Sequence, residues 1–405
     1  MINIAVLGYG TIGSGVVEVL NTNGDSIAKR AGDQINIKYV LDLREFPGDP
    51  VMEMLVHDVN IILDDPDIKI ICEVMGGVEP AFTFVKSALL KGKSVVTSNK
   101  ELVAKHGAEL LKIAKERNLN FLFEASVGGG IPIIRPLNQS LTADEIVEIT
   151  GILNGTTNYI LSKMSEEGLG FEDALADAQK LGYAERNPAA DVEGHDACRK
   201  IAILSSLAFG MQVDYEDIYT EGITKITDID IRYAKALDAK VKLFATSIRK
   251  DDSVYAMVAP TMIKSNHPLY SVNDVFNGIF VRGNVIGDVM FYGSGAGKLP
   301  TASAVVADIV DAAKHLGTNI WTIWSSKKLE LTDINKVQHR FFLRIKDNST
   351  ASKEQVQKLL GKVEEVKAEG VIDEYAFITD SITEQELKEK VSELNGVISI
   401  IRVRF

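Results

Sequence analysis

Blocks of apolar residues separated by polar breakers dominate the first third of the chain. Asn3–Leu7 is an apolar strand, followed by Gly8-Tyr9-Gly10-Thr11-Ile12-Gly13 and a helical pattern at Val16, Val17 and Leu20. Ile35–Leu41 predicts a second strand ending at Asp42, with Asn21–Gln34 as a polar insertion between the two. Ile68–Val74 is an apolar run of the kind found in buried parallel strands. Ala81–Lys91 predicts a helix, Ser94–Val96 a strand, Leu102–Asn118 a helix and Asn120–Phe123 a strand. Strand and helix alternate, which is the signature of an α/β, doubly wound parallel sheet.

After Glu124 the texture changes. Gly128-Gly129-Gly130 with Pro132 is a breaker cluster. Residues 133–297 mix helices with strands such as Ile146–Ile152, Tyr255–Pro260 and Gly278–Val285, predicting an α+β second domain. A second glycine-rich turn, Gly293–Gly297, precedes a long helix over Ala302–Leu316. We therefore expect a first domain over residues 1–132, with 298–325 returning to it. Lys327–Val337 reads as a polar linker. Residues 340–405 then read as a strand (Phe341–Ile345), a helix (Lys353–Val366), a strand (Tyr375–Ile378), a helix (Glu384–Leu394) and a strand (Val397–Phe405), fitting a small β-α-β-β-α-β module.

Composition narrows the function classes. At very roughly 100–200 residues per domain, 405 residues suggest two or three domains. A net charge of −12 argues against nucleic-acid or anionic-membrane partners. No apolar run approaches the roughly 20 residues of a membrane span. Met1–Gly8 leads straight into folded-looking sequence, so the cytoplasm is the expected compartment. Cys72 and Cys198 lie in apolar runs and read as core thiols.

The most chemical segment is Leu181–Lys200, LGYAERNPAADVEGHDACRK. It sets Glu185, Asp191, Glu193 and Asp196 around Lys200 in a turn-rich loop that feeds an apolar helix. Asp196 and Lys200 stand i, i+4, so a helix puts them on one face. Two readings follow: a solvated ion pair, or a lysine held beside carboxylates as proton donor and acceptor. His195 is a rival acid/base, but on a helix it is turned about 100° from Asp196 and reads as a packing or surface residue. The remaining histidines show no metal-ligand spacing, so no zinc site is expected.

The G-x-G-x-x-G pattern gains weight from the strand before it and the helix after it. Gly8 would allow the tight turn, Gly10 the close approach of a pyrophosphate and Gly13 the close packing of helix on strand. Backbone N–H groups near Thr11 and Ile12 would bind the phosphates. NADP or NAD is the expected cofactor. Asp42 suits a ribose 2′-hydroxyl and Arg44 a 2′-phosphate, so both remain open.

Six segments together resemble homoserine dehydrogenase: GYGTIG at Gly8–Gly13, SNKEL at Ser98–Leu102, EASVGGGIP at Glu124–Pro132, GILNGTTNYIL at Gly151–Leu161, the Leu181–Lys200 segment, and YGSGAGKLPTASAV at Tyr292–Val305. The resemblance implies a Rossmann domain, a substrate and dimerisation domain, and NAD(P)-dependent interconversion of L-homoserine and L-aspartate 4-semialdehyde, on the way to threonine and methionine. It implies that Lys200 is the proton donor and acceptor, that Asp196 and Glu185 bind the substrate's polar end, and that Lys100 lies near nicotinamide and substrate. It places Gly182 and Gly297 along the cofactor. It also implies a sodium ion held at Glu124, Val127, Gly129 and Ile131, and assembly as a homodimer or homotetramer.

The residues support these roles on their own terms. A carbonyl accepting hydride develops alkoxide charge, which an ammonium stabilises and then protonates. Asp191 and its neighbours would hold the substrate's ammonium, and Lys100 would be a second cation. Three consecutive glycines expose carbonyls that suit a hard cation, although the loop also reads as a hinge. Thr156, Thr157 and Asn158 read equally as substrate ligands or helix caps. Residues 340–405 resemble an ACT module, with threonine as the implied effector. The loop Asp347–Ser352 lacks the Pro-Gly pair common there, so a dimerisation role stays open. Two other function classes are a semialdehyde dehydrogenase with a reactive cysteine, which neither Cys72 nor Cys198 fits, and a non-catalytic nucleotide or amino-acid sensor.

Overall fold

The computed structural model describes residues 1–405. Its contacts gather the chain into two compact units. The first comprises Met1–Glu145, Ala202–Asp214 and Gly293–Leu329; the second comprises Ile146–Ile201, Tyr215–Tyr292 and Glu330–Phe405.

Six parallel strands build the first unit: β1 (Ile2–Leu7), β2 (Ile35–Leu41), β3 (Leu55–Val56), β4 (Ile68–Glu73), β5 (Ser94–Thr97) and β6 (Phe121–Leu122). Their order is β3-β2-β1-β4-β5-β6, so the chain reverses direction across the sheet between β1 and β4. Ligands of such sheets bind at the carboxyl ends of the strands beside that reversal. The helix α1 (Thr11–Ala31) packs against the helix Lys298–Lys314, which returns to this unit. Val16, Leu20, Ala302, Val305 and Ile309 share one core with β1 and β4. Gly15 permits the approach, because a Cβ there would lie 3.0 Å from the Ala302 Cβ.

The polar stretch after Leu20 is not an insertion. The helix runs through it to Ala31, with one non-helical residue at Asn23 (φ −114°). Ile27 and Ala31 continue the buried face of Val16 and Leu20, and the polar residues between them face outward. Gly32, at φ +85°, ends the helix.

The second unit is built on a mixed sheet. Its main path runs Gly287–Ser294, Phe276–Gly283, Ile146–Ile152, Ala239–Lys250, Ser253–Lys264, Val397–Val403, Gln338–Ile345, Tyr375–Thr379 and Val363–Val366. The last four strands belong to the C-terminal β-α-β-β-α-β module. They continue the sheet through a short parallel seam, Thr261 against Arg402 and Met262 against Val403. The module has its own apolar centre of Phe341, Leu343, Val356, Phe377 and Leu387.

Two predicted elements of the tail differ from the structure. The first helix of the module is Thr350–Leu360, capped by Ser349 and stopped by Gly361 at φ +74°. Residues Val363–Val366, predicted as helix, form an edge strand beside Tyr375–Thr379. The predicted linker also holds structure: Ser325–Lys328 pairs with Met211–Gln212, and Ile334–Lys336 is a short 3-10 turn.

Candidate functional site

The glycine loop has the backbone its sequence requires. Gly8 stands at φ +98°, and its N–H donates to the Leu41 carbonyl at 2.8 Å. A Cβ on Gly13 would sit 1.9 Å from the Gly8 carbonyl oxygen, so no larger residue fits. Gly10 is the residue before α1, and no side chain caps that helix. The first-turn amides near Thr11 and Ile12 are thus presented as an anion site.

A cleft of about 460 Å³ opens beside this loop, lined by Gly8, Gly10, Asp42, Arg44, His57 and Met75 among others. At its rim Asp42 accepts four hydrogen bonds. Oδ1 takes Arg44 N at 3.0 Å and Nε at 2.9 Å; Oδ2 takes Tyr9 N at 2.8 Å and Arg44 Nη2 at 2.9 Å. The Arg44 guanidinium holds the Asp42 carboxyl far below the usual carboxylate range. Arg44 itself is exposed. At the ends of β4 and β5, buried Glu73 accepts from Thr97 Oγ1 at 2.6 Å and Met75 N at 2.8 Å. Asn99 caps the helix that begins at Lys100 and donates to the Gly77 carbonyl at 2.6 Å. Gly297, at φ +120°, opens the returning helix.

In the second unit the lysine is not a solvated partner. The Lys200 side chain is buried, with Nζ 2.7 Å from Asp196 Oδ2 and 2.8 Å from the Leu153 carbonyl. Asp196 and Lys200 lie one turn apart on the helix His195–Phe209. Asn154 ties the cluster together: its Nδ2 donates to Asp191 Oδ1 at 2.7 Å and to Asp196 Oδ2 at 3.0 Å. The same residue caps the helix Gly155–Glu167 by accepting from Thr157 N at 2.9 Å. Burial first, and the Asp196 charge second, push the Asp191 carboxyl above its ordinary value.

Sequence reasoning passed over Asn154. The available signal was an Asn immediately before a Gly-Thr-Thr helix start, the place of a cap. Thr156 donates to the Tyr183 carbonyl at 2.7 Å, so it pins the Leu181–Lys200 loop. Thr157 bonds Asn154, and Asn158 bonds the Val272 and Phe276 carbonyls, so both side chains are engaged by the chain itself. Glu185 is exposed, with its carbonyl bonded by Gln179, and Gly182 is exposed at φ +78°. The structure brings Asp191, Asp196 and Lys200 together and leaves the Glu185 carboxylate outside that cluster. His195 is exposed.

The Glu124–Pro132 loop is a knot of backbone. The buried Glu124 carboxylate accepts Ile133 N at 2.6 Å, Ile134 N at 2.8 Å and Arg135 N at 2.8 Å. Its charge is thus spent on the next turn of chain. Gly129, at φ +57°, lies so close to Gly295 that a Cβ would fall 2.3 Å from the Gly295 oxygen. Gly128 is equally crowded by the Ile131 carbonyl. No group of three or more His, Cys, Asp or Glu side chains stands ready for a metal. A cation here would depend on main-chain oxygens, a donor set that suits a hard ion. No helix is long and apolar enough to cross a membrane.

Comparison with known proteins agrees with this geometry. Residues 8–124 match the family model of the homoserine dehydrogenase NAD-binding domain, and residues 132–310 match that of homoserine dehydrogenase. The homoserine dehydrogenase of Mycobacterium tuberculosis is 39% identical over 433 aligned positions, covering 99% of this chain and 97% of its own. That of Bacillus subtilis is 45% identical over 318 residues, 78% of this chain and 73% of its own. The crystal structure of a homoserine dehydrogenase from Thiobacillus denitrificans aligns with a TM-score of 0.91 and 34% identity, over 100% of this chain and 98% of that one. A hyperthermophilic archaeal homoserine dehydrogenase in complex with NADPH aligns at a TM-score of 0.66 and 30% identity, over 77% of this chain and 97% of its own. With both family models and relatives of matching length in agreement, this chain belongs to the homoserine dehydrogenases, NAD(P)-dependent oxidoreductases.

Proposed function

We propose that Lys200 is the proton donor and acceptor in the interconversion of L-homoserine and L-aspartate 4-semialdehyde. The observation that carries this is the buried Lys200 ammonium fixed by Asp196 and the Leu153 carbonyl. The bound nicotinamide cofactor would supply or take the hydride. In the reductive direction the aldehyde oxygen gains negative charge as its carbon is reduced, and Lys200 Nζ stabilises that oxygen and protonates it. In the oxidative direction Lys200 takes the hydroxyl proton. Asp196 orients Nζ; Asp191 and Glu185 hold the substrate's ammonium and polar end; Thr156 fixes the loop that carries them. Lys100 adds a second positive charge for substrate and cofactor.

For the cofactor, the first-turn amides of Thr11 and Ile12, with Gly8, Gly10 and Gly13, hold the pyrophosphate, and Gly182 and Gly297 line its path. NADP is the preferred form. A carboxylate offers about four lone-pair positions, and Asp42 has committed all of them to Tyr9 and Arg44. That saturation removes the ribose-diol acceptor used by NAD and presents Arg44 to a 2′-phosphate. A sodium ion at Glu124, Val127, Gly129 and Ile131 would take main-chain oxygens as donors and hold this loop in shape.

Residues 1–132 with 298–325 form the cofactor domain and 133–297 the substrate and dimerisation domain of a cytoplasmic homodimer or homotetramer serving threonine and methionine synthesis. Residues 340–405 act as an ACT-like regulatory module with threonine as effector, a reading supported by the module's strand order. The test is turnover: homoserine with NADP or NAD, followed at the nicotinamide absorbance band, with and without threonine. Cofactor binding without any absorbance change sinks the catalytic assignment and favours the sensor reading.

A further inference from the structure

One cavity of the second unit belongs to none of these assignments. It measures about 240 Å³ and lies where the C-terminal module joins the central sheet. A bound water takes roughly 30 Å³, so the space suits a small organic molecule. Its origin is geometric. Ser253–Lys264 meets Val397–Val403 over only two residue pairs, Thr261–Arg402 and Met262–Val403. Beyond that seam the strands part, and Tyr255, Met257 and Thr246 look across a gap to His339, Arg340 and Arg404.

The lining has a definite chemical sense. Three guanidiniums (Arg340, Arg402, Arg404) border it together with the hydroxyls of Thr246, Thr261, Tyr255 and Ser381. Each guanidinium is also paired with a carboxylate set behind the lining, Arg402 with Glu384 and Glu221, Arg404 with Glu148 and Arg340 with Glu364, while the lining itself holds no carboxylate. Arg402, Thr246 and Thr261 are almost wholly buried. His339 contributes an unmet need: its Nε2 is buried without a hydrogen-bond partner. Burial, then Arg402 and Arg404, push this ring's pKa down to about 4, so it is a neutral imidazole that can present Nε2–H as a donor. Phe244, Ile248 and Met257 supply an apolar wall. Donors around an apolar pocket recognise an anion with a hydrocarbon body. An amino acid's ammonium would find no acidic partner in this lining.

The cavity also touches a path to the catalytic cluster within the same unit. Arg402 is held from two sides: Nη1 donates to Glu221 Oε2 at 2.8 Å and Nε to Glu384 Oε1 at 2.7 Å. The segment after Glu221 lies hard against the Asp191–Gly194 loop. Ile223 N donates to the Val192 carbonyl at 2.8 Å, and a Cβ on Gly222 would fall 2.2 Å from that same oxygen. That loop carries Asp191 at one end and enters the helix of Asp196 and Lys200 at the other. A shift of Arg402 toward a ligand has a rigid backbone route to the carboxylates around the lysine.

We propose that the cavity bordered by His339, Arg340, Arg402 and Arg404 binds a small carboxylic acid lacking an ammonium group, and that occupancy is felt at Asp191 and Asp196 through the Arg402–Glu221 pair. The transmission rests on the assignment of Lys200 made above; the binding does not. The test uses the full-length protein and isobutyrate as probe, followed by ligand-observed NMR, with isobutyramide as the uncharged control. Saturable binding of isobutyrate alone, weakened at least about tenfold in His339→Phe and in Ser381→Trp, supports the site. Ser381 is an exposed residue at the mouth, so the second variant keeps the test open where the first disturbs folding. Equal binding of both probes, binding of neither, or binding of inorganic phosphate alone overturns the carboxylate site. Unchanged binding in both variants also overturns it. Transmission is read as a several-fold change in homoserine KM on adding isobutyrate, abolished in Glu221→Gln while binding persists. Binding with no response of KM or kcat overturns the transmission and leaves the site standing.

Discussion

Replacing Asn154 tests the site most sharply, because one side chain does two separable jobs. Its Oδ1 caps the helix Gly155–Glu167, and its Nδ2 bridges Asp191 and Asp196. Losing a cap costs about 1 kcal/mol of stability. Losing hydrogen bonds to charged groups costs about 1.5–3 kcal/mol each. Asn154→Ala removes both functions. Asn154→Asp keeps an oxygen for Thr157 N, deletes both donors and sets a third carboxylate beside two others. The second variant should therefore keep the cap and unfold at a lower Tm through its lost charged hydrogen bonds and added like charge, while in the folded enzyme Asp196 loses the geometry that orients Lys200. With about 2–4 kcal/mol of misplacement felt in the transition state, kcat/KM for homoserine falls roughly 30- to 1000-fold. The pH profile adds a second readout. Asp191 already sits above its ordinary pKa through burial and the Asp196 charge. A further like charge raises that group again, so the acid limb of kcat/KM moves to higher pH. Steady-state assays across pH, with thermal unfolding alongside, decide the matter. A folded Asn154→Asp enzyme with kcat/KM within threefold of the parent and an unmoved acid limb refutes the orienting role.

Three further outcomes follow from the same geometry. Lys200→Ala should lower kcat by about 10²–10⁴-fold, as for loss of a general acid/base, with NADP affinity nearly intact; an unchanged kcat removes Lys200 from the chemistry. Arg44→Ala should raise KM for NADP by roughly tenfold or more, the scale of one charged hydrogen bond, and release Asp42 so that NAD is used as well or better; equal losses for both cofactors contradict the saturation argument. Lys242 is buried with only Asn158, Val272 and Asn273 as hydrogen-bond acceptors, and burial pushes it down to about 7 from 10.5. Between those values the unfolded chain binds the extra proton, so this group makes stability rise with pH by up to about 1.4 kcal/mol per unit and fall again toward pH 7. Urea midpoints of Lys242→Met should lack that slope between pH 7 and 10, and parallel profiles for the two proteins would exclude it.

What the sequence disclosed was local. The glycine loop was legible because Gly8, Gly10 and Gly13 each answer a constraint within a few residues, and the steric limit at Gly13 confirms why no other residue stands there. The i, i+4 pair of Asp196 and Lys200 was legible for the same reason. Burial was not, because it depends on the Leu153 carbonyl and Asn154, more than forty residues earlier. Two elements were misread, one by weighing polarity above periodicity and one because its pattern suits two elements. The Asn21–Ala31 stretch is polar, yet Ile27 and Ala31 extend the helical face begun by Val16 and Leu20. Val363–Val366 places two glutamates between two valines, a pattern an exposed edge strand tolerates and a helix shares. Glu124 shows the deeper limit. Its carboxylate looks like a metal ligand on paper, but the folded chain uses it to hold three amides of the next turn, leaving any cation there to the main chain. Residue type fixes what a group is able to do, and only the partners brought by the fold decide which of those capacities remains for a ligand.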